Sequence, residues 1–261
     1  MLCDVPRAVQ CPRFMYYNRG VSVPRVLVSQ VNGPAVSLPV DEAHHVLRVL
    51  RLEGGDPVVV FDGRGGEWDG LVMTADRDGV VVQILQDRAP IPEPTLKITL
   101  ALGLLKGSAL DDVVRDATAL GVSEIVPMMT AHCVVPKKAR GEDAIARWER
   151  ITIAAAKQCG RATLPLIHDT TEFMDVVRRP VDVRVICLEP VYPGSEHLTI
   201  APSAVSATVL IGPEGGWSTA EVATARLAGY QGLQLGPRVL RAELAPVVAL
   251  SRLWAAVSAT R

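Results

Sequence analysis

The chain has 261 residues, of which 49% are hydrophobic and 21% charged, with 21 glycines and 19 prolines spread along it. This composition is typical of a globular protein and excludes collagen, coiled coil and disorder. No segment approaches the roughly 18 consecutive apolar residues of a membrane-spanning helix, and the first residues lack an apolar signal core, so we expect a cytoplasmic protein without a membrane partner. The formal net charge of −1 argues against coating nucleic acid through bulk charge and leaves a local basic patch open.

Residues 21–90 predict a small, mostly β domain of barrel type. The preceding residues 1–20 are an N-terminal extension, for which disorder and an incorrectly assigned start both remain open. One helical segment, Asp41–Leu50, places its apolar residues on one face. Three prolines within Arg88–Pro94 predict a linker. Segments rich in Val, Ile and Leu between Gly or Asp turns predict the strands Arg25–Ser29, Pro57–Phe61, Glu67–Thr74 and Gly79–Gln86.

Residues 95–261 alternate apolar runs with helical stretches, which predicts an α/β domain with a parallel sheet covered on both faces. The predicted strands are Leu96–Leu105, Glu124–Met128, Val181–Leu188, Ala204–Ile211 and Gly232–Leu235. The predicted helices are Ser108–Leu120, Glu142–Cys159, Thr219–Ala228 and Pro246–Val257. Sheets of this kind bind ligands at the carboxyl ends of their strands, so the loops after Ile211 and Leu235 are the first candidates.

The first of these loops is a glycine-rich turn, Leu210-Ile-Gly-Pro-Glu-Gly-Gly-Trp-Ser218. Its glycines permit positive φ and close backbone approach, and Ser218 with Glu221 has capping-box spacing for a following helix. Exposed amides in such a turn can hold an adenosine or a carboxylate. A tight connection without any ligand is the alternative. The turn is neither a Walker loop nor the G-x-G-x-x-G of a dinucleotide fold.

The second loop, Leu235-Gly-Pro-Arg-Val-Leu-Arg-Ala-Glu-Leu-Ala-Pro246, precedes the last predicted helix. Pro246 favours the first turn of that helix, which leaves Arg238, Arg241 and Glu243 in the loop. Two arginines and a glutamate ahead of a helix N-terminus form an anion-friendly cluster. A surface ion pair between Arg241 and Glu243 is the alternative.

Together the two turns strongly resemble the ribosomal small subunit methyltransferase E family of the SPOUT superfamily, which methylates N3 of one uridine in 16S rRNA. The resemblance extends over about Pro24–Trp254. Further matches are Pro24-Arg25, Asp41-Glu-Ala-His-His-Val-Leu-Arg-Val-Leu-Arg51, Phe61-Asp-Gly63, Leu105-Lys-Gly107, Leu120-Gly-Val122 and Gln158-Cys-Gly-Arg161.

The resemblance implies a SPOUT-type parallel sheet with a C-terminal deep trefoil knot in residues 95–261, preceded by a PUA-like β-barrel RNA-recognition domain in residues 21–90. It also implies a homodimer, with 16S rRNA or the small ribosomal subunit as partner. The implied cofactor is S-adenosyl-L-methionine, held by backbone groups and flanking apolar side chains of the two turns. These residues are Leu210, Ile211, Gly212, Glu214, Gly215, Gly216, Leu235, Gly236, Val239 and Leu240.

Uridine N3 becomes nucleophilic as it loses its proton, so the site needs a proton acceptor or positive groups near O2 and O4. Arg238 and Arg241 suit the second role. Glu243 or Glu214 can accept the proton or orient an arginine, and the general base stays open. The sequence departs from the family where Ala242 and Leu244 stand in place of two threonines.

Candidate RNA-binding residues, by resemblance, are Arg25, Arg48, Arg51 and Arg161. Seven basic residues stand against three acidic ones between Lys137 and Arg161, which predicts a phosphate-contacting stripe or a solvated helix face. Trp217 is the tryptophan most suited to stack on an unpaired base.

We expect no metal site and no disulfide framework. The five cysteines are odd in number, far apart and never arranged as C-x-x-C, so we interpret them as reduced thiols. His44 and His45 are adjacent and lack the i, i+4 spacing of a zinc pair, and His132 with Cys133 has no further ligand nearby in sequence.

Two alternatives to the leading hypothesis remain. One is a SPOUT methyltransferase that acts on another base or on a ribose hydroxyl. The other is a catalytically silent RNA-binding homologue, for which the Ala242 and Leu244 departures leave room.

Overall fold

The computed structural model describes residues 23–134, 141–195 and 197–259. They form two compact units. The first contains the described residues up to Ile91 together with Gly160–Thr163, and the second contains the described residues from Pro92 to Cys159 and from Leu164 onward. The proposed extension at residues 1–20 and three basic residues of the predicted stripe, Lys137, Lys138 and Arg140, lie outside the described residues.

The first unit contains a five-stranded sheet in the order β1-β3-β4-β5-β2. Its first two strands pair in parallel, and the other neighbours are antiparallel. The four predicted strands are confirmed in position, whereas β2 was missed because only one of its three residues is even half-buried. The strands are β1 (Arg25–Leu27), β2 (Ala35–Ser37), β3 (Pro57–Phe61), β4 (Glu67–Asp76) and β5 (Gly79–Asp87).

The predicted helix of this unit is present as α1 (Val40–His44), which continues as a π-helical segment over His45–Leu50. Ala43 and Val46 are buried against the sheet, as the apolar spacing predicts. The segment ends at Arg51, whose φ of 53° makes it the non-glycine residue with left-handed backbone in the described chain. The left-handed residue stops the helix, a place where glycine is usual.

Residues 160–163 complete the first unit although they are distant from it in sequence. The amide of Gly65 donates to the Ala162 carbonyl at 3.2 Å, and a guanidinium nitrogen of Arg25 donates to the Arg161 carbonyl at 2.9 Å. Pairing over such a sequence separation carries no local pattern, so sequence reasoning did not assign these residues to the first unit.

The second unit is built on an all-parallel sheet, which confirms the α/β prediction. The order is β12-β10-β11-β6-β7-β8, with β9 also paired to β7. Its strands are β6 (Lys97–Gly103), β7 (Glu124–Met129), β8 (Leu166–Ile167), β9 (Thr171–Glu172), β10 (Val183–Leu188), β11 (Ser206–Ile211) and β12 (Gln231–Gln234). Its helices are α2 (Ala109–Ala119), α3 (Glu142–Cys159), α4 (Phe173–Val177), α5 (Thr219–Leu227) and α6 (Ala245–Ala259).

Two apolar clusters cover the two faces of this sheet. Because successive side chains of a strand point to opposite faces, Leu210 belongs to one cluster and Ile211 to the other. Helix α6 contributes Ala249, Leu250 and Leu253 to the same cluster as Ile211. No helix in the described part of the chain is long and apolar enough to cross a lipid bilayer.

The loop between β10 and β11 passes along the outer edge of β12. Strand β12 pairs with β10 on one edge. On its other edge, the Ser195 amide donates to the Gly232 carbonyl and the Gln234 amide donates to the Ser195 carbonyl, both at 2.9 Å. Strand β12 therefore lies between β10 and Ser195, which belongs to the loop that follows β10. From β12 the chain continues through the second turn into α6.

Candidate active site

A cavity of about 530 Å³ lies at the carboxyl ends of β10, β11 and β12. This volume falls within the range of roughly 300–1,000 Å³ that small-molecule sites occupy. Both glycine-rich turns line it, so the two loops that the sequence singled out lie side by side. The lining residues are Ala109, Cys187–Pro190, Ile211–Glu214, Leu235, Gly236, Arg238–Glu243 and Ala245.

Most of the residues predicted to bind a cofactor line this cavity. They are Ile211, Gly212, Glu214, Leu235, Gly236, Val239 and Leu240. Leu210, Gly215 and Gly216 are not among the lining residues. Leu210 is fully buried on the opposite face of β11, where it packs in the core and does not face the cavity.

Neighbouring side chains press closely on the first turn. A β-carbon on Gly216, where φ is +69°, would lie 2.5 Å from Glu189 Oε1, and one on Gly212 would lie 3.2 Å from the Trp217 indole. The glycines are therefore needed for the approach of the protein's own groups as well as for an open cavity. His132 Nδ1 lies 3.0 Å from the Gly215 carbonyl, which requires this nitrogen to donate.

Two glutamates fix the ends of the first turn. Glu214 Oε1 accepts from the backbone amide of Lys106 at 2.8 Å. The predicted capping box is confirmed, since the Ser218 hydroxyl accepts from the Glu221 amide and the Glu221 carboxylate accepts from the Ser218 amide. Glu221 Oε1 also accepts from the amide of Ala131 at 2.8 Å, which connects the helix start to the segment after β7.

Trp217, the candidate for stacking on an unpaired base, is not available for that role. Its side chain is buried, its indole N–H donates to the Cys187 carbonyl at 2.8 Å, and its ring packs against Phe173. The position of the residue inside a glycine-rich turn suggested exposure, but the turn folds back over the sheet and the ring becomes part of the core.

The three polar residues of the second turn, Arg238, Arg241 and Glu243, all line the cavity. The Arg241 side chain is 87% exposed, which places it at the solvent-facing rim, and its Nη1 lies 3.6 Å from Glu243 Oε1. An exposed pair at this distance contributes at most about 1 kcal/mol to stability. From α6, Arg252 donates to the carbonyls of Gln234 and Leu235 and so holds the start of the turn.

Two polar residues at the end of β10, Cys187 and Glu189, also line the cavity and were not among the predicted site residues. Burial raises the pKa of the Cys187 thiol to about 12, so this group stays protonated at neutral pH and cannot act as a thiolate nucleophile. The rule that ligands bind beyond the carboxyl ends of parallel strands already pointed to this strand end, because the predicted strand stops at Leu188.

Comparison with known proteins places this geometry in a family. Residues 92–254 match the model of the RNA methyltransferase domain, and residues 38–85 match that of the RNA methyltransferase PUA domain. The ribosomal RNA small subunit methyltransferase E of Synechocystis sp. is 31% identical over 233 residues, covering 87% of this chain and 75% of that protein. The chain belongs to the ribosomal RNA small subunit methyltransferase E family.

Other members of the methyltransferase E family agree in sequence and in fold. The Bacillus subtilis protein is 31% identical and covers 84% of this chain and 89% of its own length. The crystal structure of the Neisseria gonorrhoeae protein bound to S-adenosyl methionine has a TM-score of 0.81 and 27% identity, covering 89% of this chain and 97% of that one.

For a member of the methyltransferase E family, the predicted RNA-binding arginines fall into two classes. Arg48 and Arg51 are exposed. Arg25 is engaged inside the first unit, where Nη1 bonds Glu67 Oε1 at 2.8 Å and the guanidinium lies 4.8 Å from the centre of the Phe61 ring. Arg161 is buried. The structure therefore presents Arg48 and Arg51 to solvent and uses Arg25 inside the first unit.

The basic stripe is also partly engaged. In α3, Arg147 pairs with Asp111 at 2.9 Å, whereas Arg150 is exposed.

Among the residues the structure describes, Cys133, Cys159 and Cys187 are free thiols, and no group of three or more His, Cys, Asp or Glu side chains could hold a metal ion.

Proposed function

We infer that this protein is an S-adenosyl-L-methionine-dependent methyltransferase that methylates N3 of a uridine in the 16S rRNA of the small ribosomal subunit. The observation that carries the proposal is the cavity at the carboxyl ends of β10, β11 and β12, which both family turns line. Relatives named for small-subunit rRNA methylation, one of them solved with S-adenosyl methionine, support it.

The residues present fit this cofactor. Ile211, Leu235 and Leu240 provide apolar walls for an adenine, and the two turns provide backbone groups. Glu189 brings a carboxylate oxygen that is buried and has no hydrogen-bonding partner in the described protein, as expected of a group that awaits a donor. When bound, the cofactor supplies an electrophilic methyl group on a sulfonium.

The side chains at the rim act on the uridine. Arg238 and Arg241 stabilise the negative charge that develops on O2 and O4 as N3 loses its proton. Glu243 accepts that proton or orients Arg241, whose Nη1 lies 3.6 Å away. Glu214 holds the first turn through the Lys106 amide, so we assign it a positioning role. The walls exclude water and hold the reacting atoms in line.

The trefoil knot is part of this proposal. Its support in this chain is that β12 pairs with β10 on one edge and bonds Ser195, in the loop that joins β10 to β11, on the other. General rules of topology disfavour knots, so the family resemblance remains the main reason to propose one. We likewise propose that the five-stranded sheet of the first unit closes as a PUA-like barrel.

The active form in this proposal is a homodimer in the cytoplasm, where small ribosomal subunits are found. Its support is the exposure of apolar side chains on the second turn, where Val239 is 73% and Leu244 is 47% exposed. A closed two-fold dimer is also the commonest assembly of soluble chains. In such a dimer these side chains would be covered by the partner.

The test is mass spectrometric mapping of rRNA nucleosides from cells that lack the protein, with restoration by the purified protein and S-adenosylmethionine. The expected result is the loss and recovery of one 3-methyluridine in 16S rRNA. Loss of a different methylated base or ribose would establish the alternative methyltransferase. An unchanged nucleoside profile together with no binding of S-adenosylmethionine would establish a silent RNA-binding protein.

A further inference from the structure

Glu189 is the cavity carboxylate whose hydrogen-bonding partner the proposed mechanism does not name. It follows β10 directly and lines the cavity. Its Oε1 lies against the backbone of Gly216, so close that a β-carbon there would be 2.5 Å away. Its Oε2 is buried, and the described part of the chain offers it no hydrogen-bonding partner.

A buried carboxylate oxygen without a donor is unfavourable, because the water it has lost is not replaced. Native proteins keep few such groups. The carboxylate fits in this position beside the first turn because Gly216 has no β-carbon. Gly216 packs against one side of the carboxylate, and Glu189 lines the cavity on the other, so the cavity is the side from which a donor can approach.

The position of Glu189 in the sheet identifies the donor. Strand β10 is the neighbour of β11, and β11 leads into the glycine-rich turn. In dinucleotide-binding sheets, an acidic residue near the glycine-rich turn accepts a hydrogen bond from a ribose hydroxyl. Here the acidic residue precedes the turn in sequence, but it has the same relation to a glycine turn at the carboxyl edge of a parallel sheet.

We propose that Glu189 accepts a hydrogen bond from a ribose hydroxyl of the bound methyl donor. The inference rests on the proposed function, since it concerns the same cavity and the same cofactor. It assigns Glu189 to binding the nucleoside, whereas Arg238, Arg241 and Glu243 act on the uridine.

The experiment is calorimetric titration with S-adenosylhomocysteine and with its 2′-deoxy and 3′-deoxy analogues. Glu189→Gln and Glu189→Ala are each expected to weaken S-adenosylhomocysteine binding about tenfold, the loss that follows from removing a hydrogen bond to a charged group. The analogue that lacks the bonded hydroxyl is expected to bind the unmodified protein about tenfold more weakly and to lose less than about twofold further in the variants. Equal losses for all three ligands, or no loss for any, would overturn the inference.

Glu149→Gln is the matched control, because Glu149 is an exposed carboxylate on α3 outside the cavity. It is expected to bind all three ligands like the unmodified protein. The ligand-free Glu189→Gln variant is expected to unfold at the same or a higher temperature, since it removes a carboxylate whose buried Oε2 has no donor in the described protein. A lower unfolding temperature would instead assign Glu189 to the stability of the turn and overturn the inference. Failure of the unmodified protein to bind S-adenosylhomocysteine would overturn the proposed function as well.

Discussion

At the residue scale, the second turn separates side chains that build the cavity from side chains that only reach it. Ala242 is buried and contributes to the core cluster, whereas Arg241 is exposed at the rim. Exposure means that removing the Arg241 side chain leaves no cavity and strands no buried partner. Its contribution to the reaction can therefore be measured without a loss of stability.

We predict that Arg241→Ala lowers kcat by roughly 10²–10³, the loss typical of a group that stabilises developing negative charge. Cofactor affinity changes less than about twofold, because the charge acts on the acceptor base. Steady-state kinetics and calorimetry measure the two quantities separately. Arg178→Ala, an exposed arginine away from the cavity, is the control. Parallel losses of turnover and cofactor affinity would contradict the assigned role.

Arg51 combines a strained backbone with an exposed charge, so one substitution separates the two. Because glycine adopts a φ of 53° without steric cost, Arg51→Gly is expected to keep or raise the free energy of unfolding, by up to about 1 kcal/mol. If Arg51 contacts a phosphate, the same variant binds rRNA more weakly and with a salt dependence reduced by about one charge. Unfolding and salt-dependent binding are compared with Arg77→Ala, which removes an exposed charge elsewhere in the unit. Unchanged rRNA binding would exclude Arg51 from the interface.

At the element scale, the stability of α5 depends more on Glu221, the third residue of the helix, than on its N-cap Ser218. Ser218→Ala is expected to cost about 1 kcal/mol of unfolding free energy, the usual value of an N-cap. Glu221→Ala is expected to cost at least about 2 kcal/mol, because the carboxylate is buried and accepts from Ser218 N, Ser218 Oγ and Ala131 N. Chemical denaturation measures both. A smaller cost for Glu221→Ala would show that the contact with Ala131 contributes nothing.

The hydrogen bonds that Asp182 makes at the start of β10 and β11 make the stability of the protein dependent on pH. Hydrogen bonds from the Val205 amide and then from the Ser206 hydroxyl lower the pKa of the Asp182 carboxyl. A pKa lowered by folding stabilises the protein above the unfolded value of about 3.9, and this contribution disappears as the pH falls through the folded value. Asp182→Ala is therefore expected to be destabilised at pH 7, with a difference from the unmodified protein that shrinks below about pH 4. Denaturation across pH measures this, and a difference independent of pH would be contrary to it.

Long buried strands could be predicted from the sequence, whereas short ones could not. Strands β10 and β11 each contain continuous runs of buried apolar residues, which local composition reveals. Strands β8 and β9 have two residues each, and α4 has five. Segments of this length are too short to establish a repeating strand or helix pattern, so their structure is set by the neighbours they pair with. The π-helical turn over His45–Leu50 likewise carries no recognised sequence signal.

At the scale of the whole molecule, the cavity couples ligand binding to stability. We predict that S-adenosylhomocysteine at 100 times its Kd raises the free energy of unfolding by about 2.7 kcal/mol, since only the folded chain brings the two turns together. Arg241→Ala should show the same increase at the same ratio to its own Kd. Thermal or chemical denaturation with and without ligand provides the measurement. Absence of any stabilisation would contradict the assignment of the cavity.

Turn chemistry predicted the general location of the site, but not which side chains face it. Glycine and proline positions indicated both turns, and strand alternation with helices indicated the sheet edge at which they meet. The roles of Trp217, Arg25 and Glu189 depend on contacts with residues far away in sequence, such as Cys187, Glu67 and Gly216. Contacts of this kind leave no local pattern, so the sequence indicated neither the burial of Trp217 nor the place of Glu189 in the cavity.

The walls of the cavity come from segments spread between Ala109 and Ala245, and the second turn is among the last of them to be synthesised. A growing polypeptide therefore cannot grip a methyl donor until translation has passed that turn. A product of translation interrupted before that turn lacks one wall of the cavity.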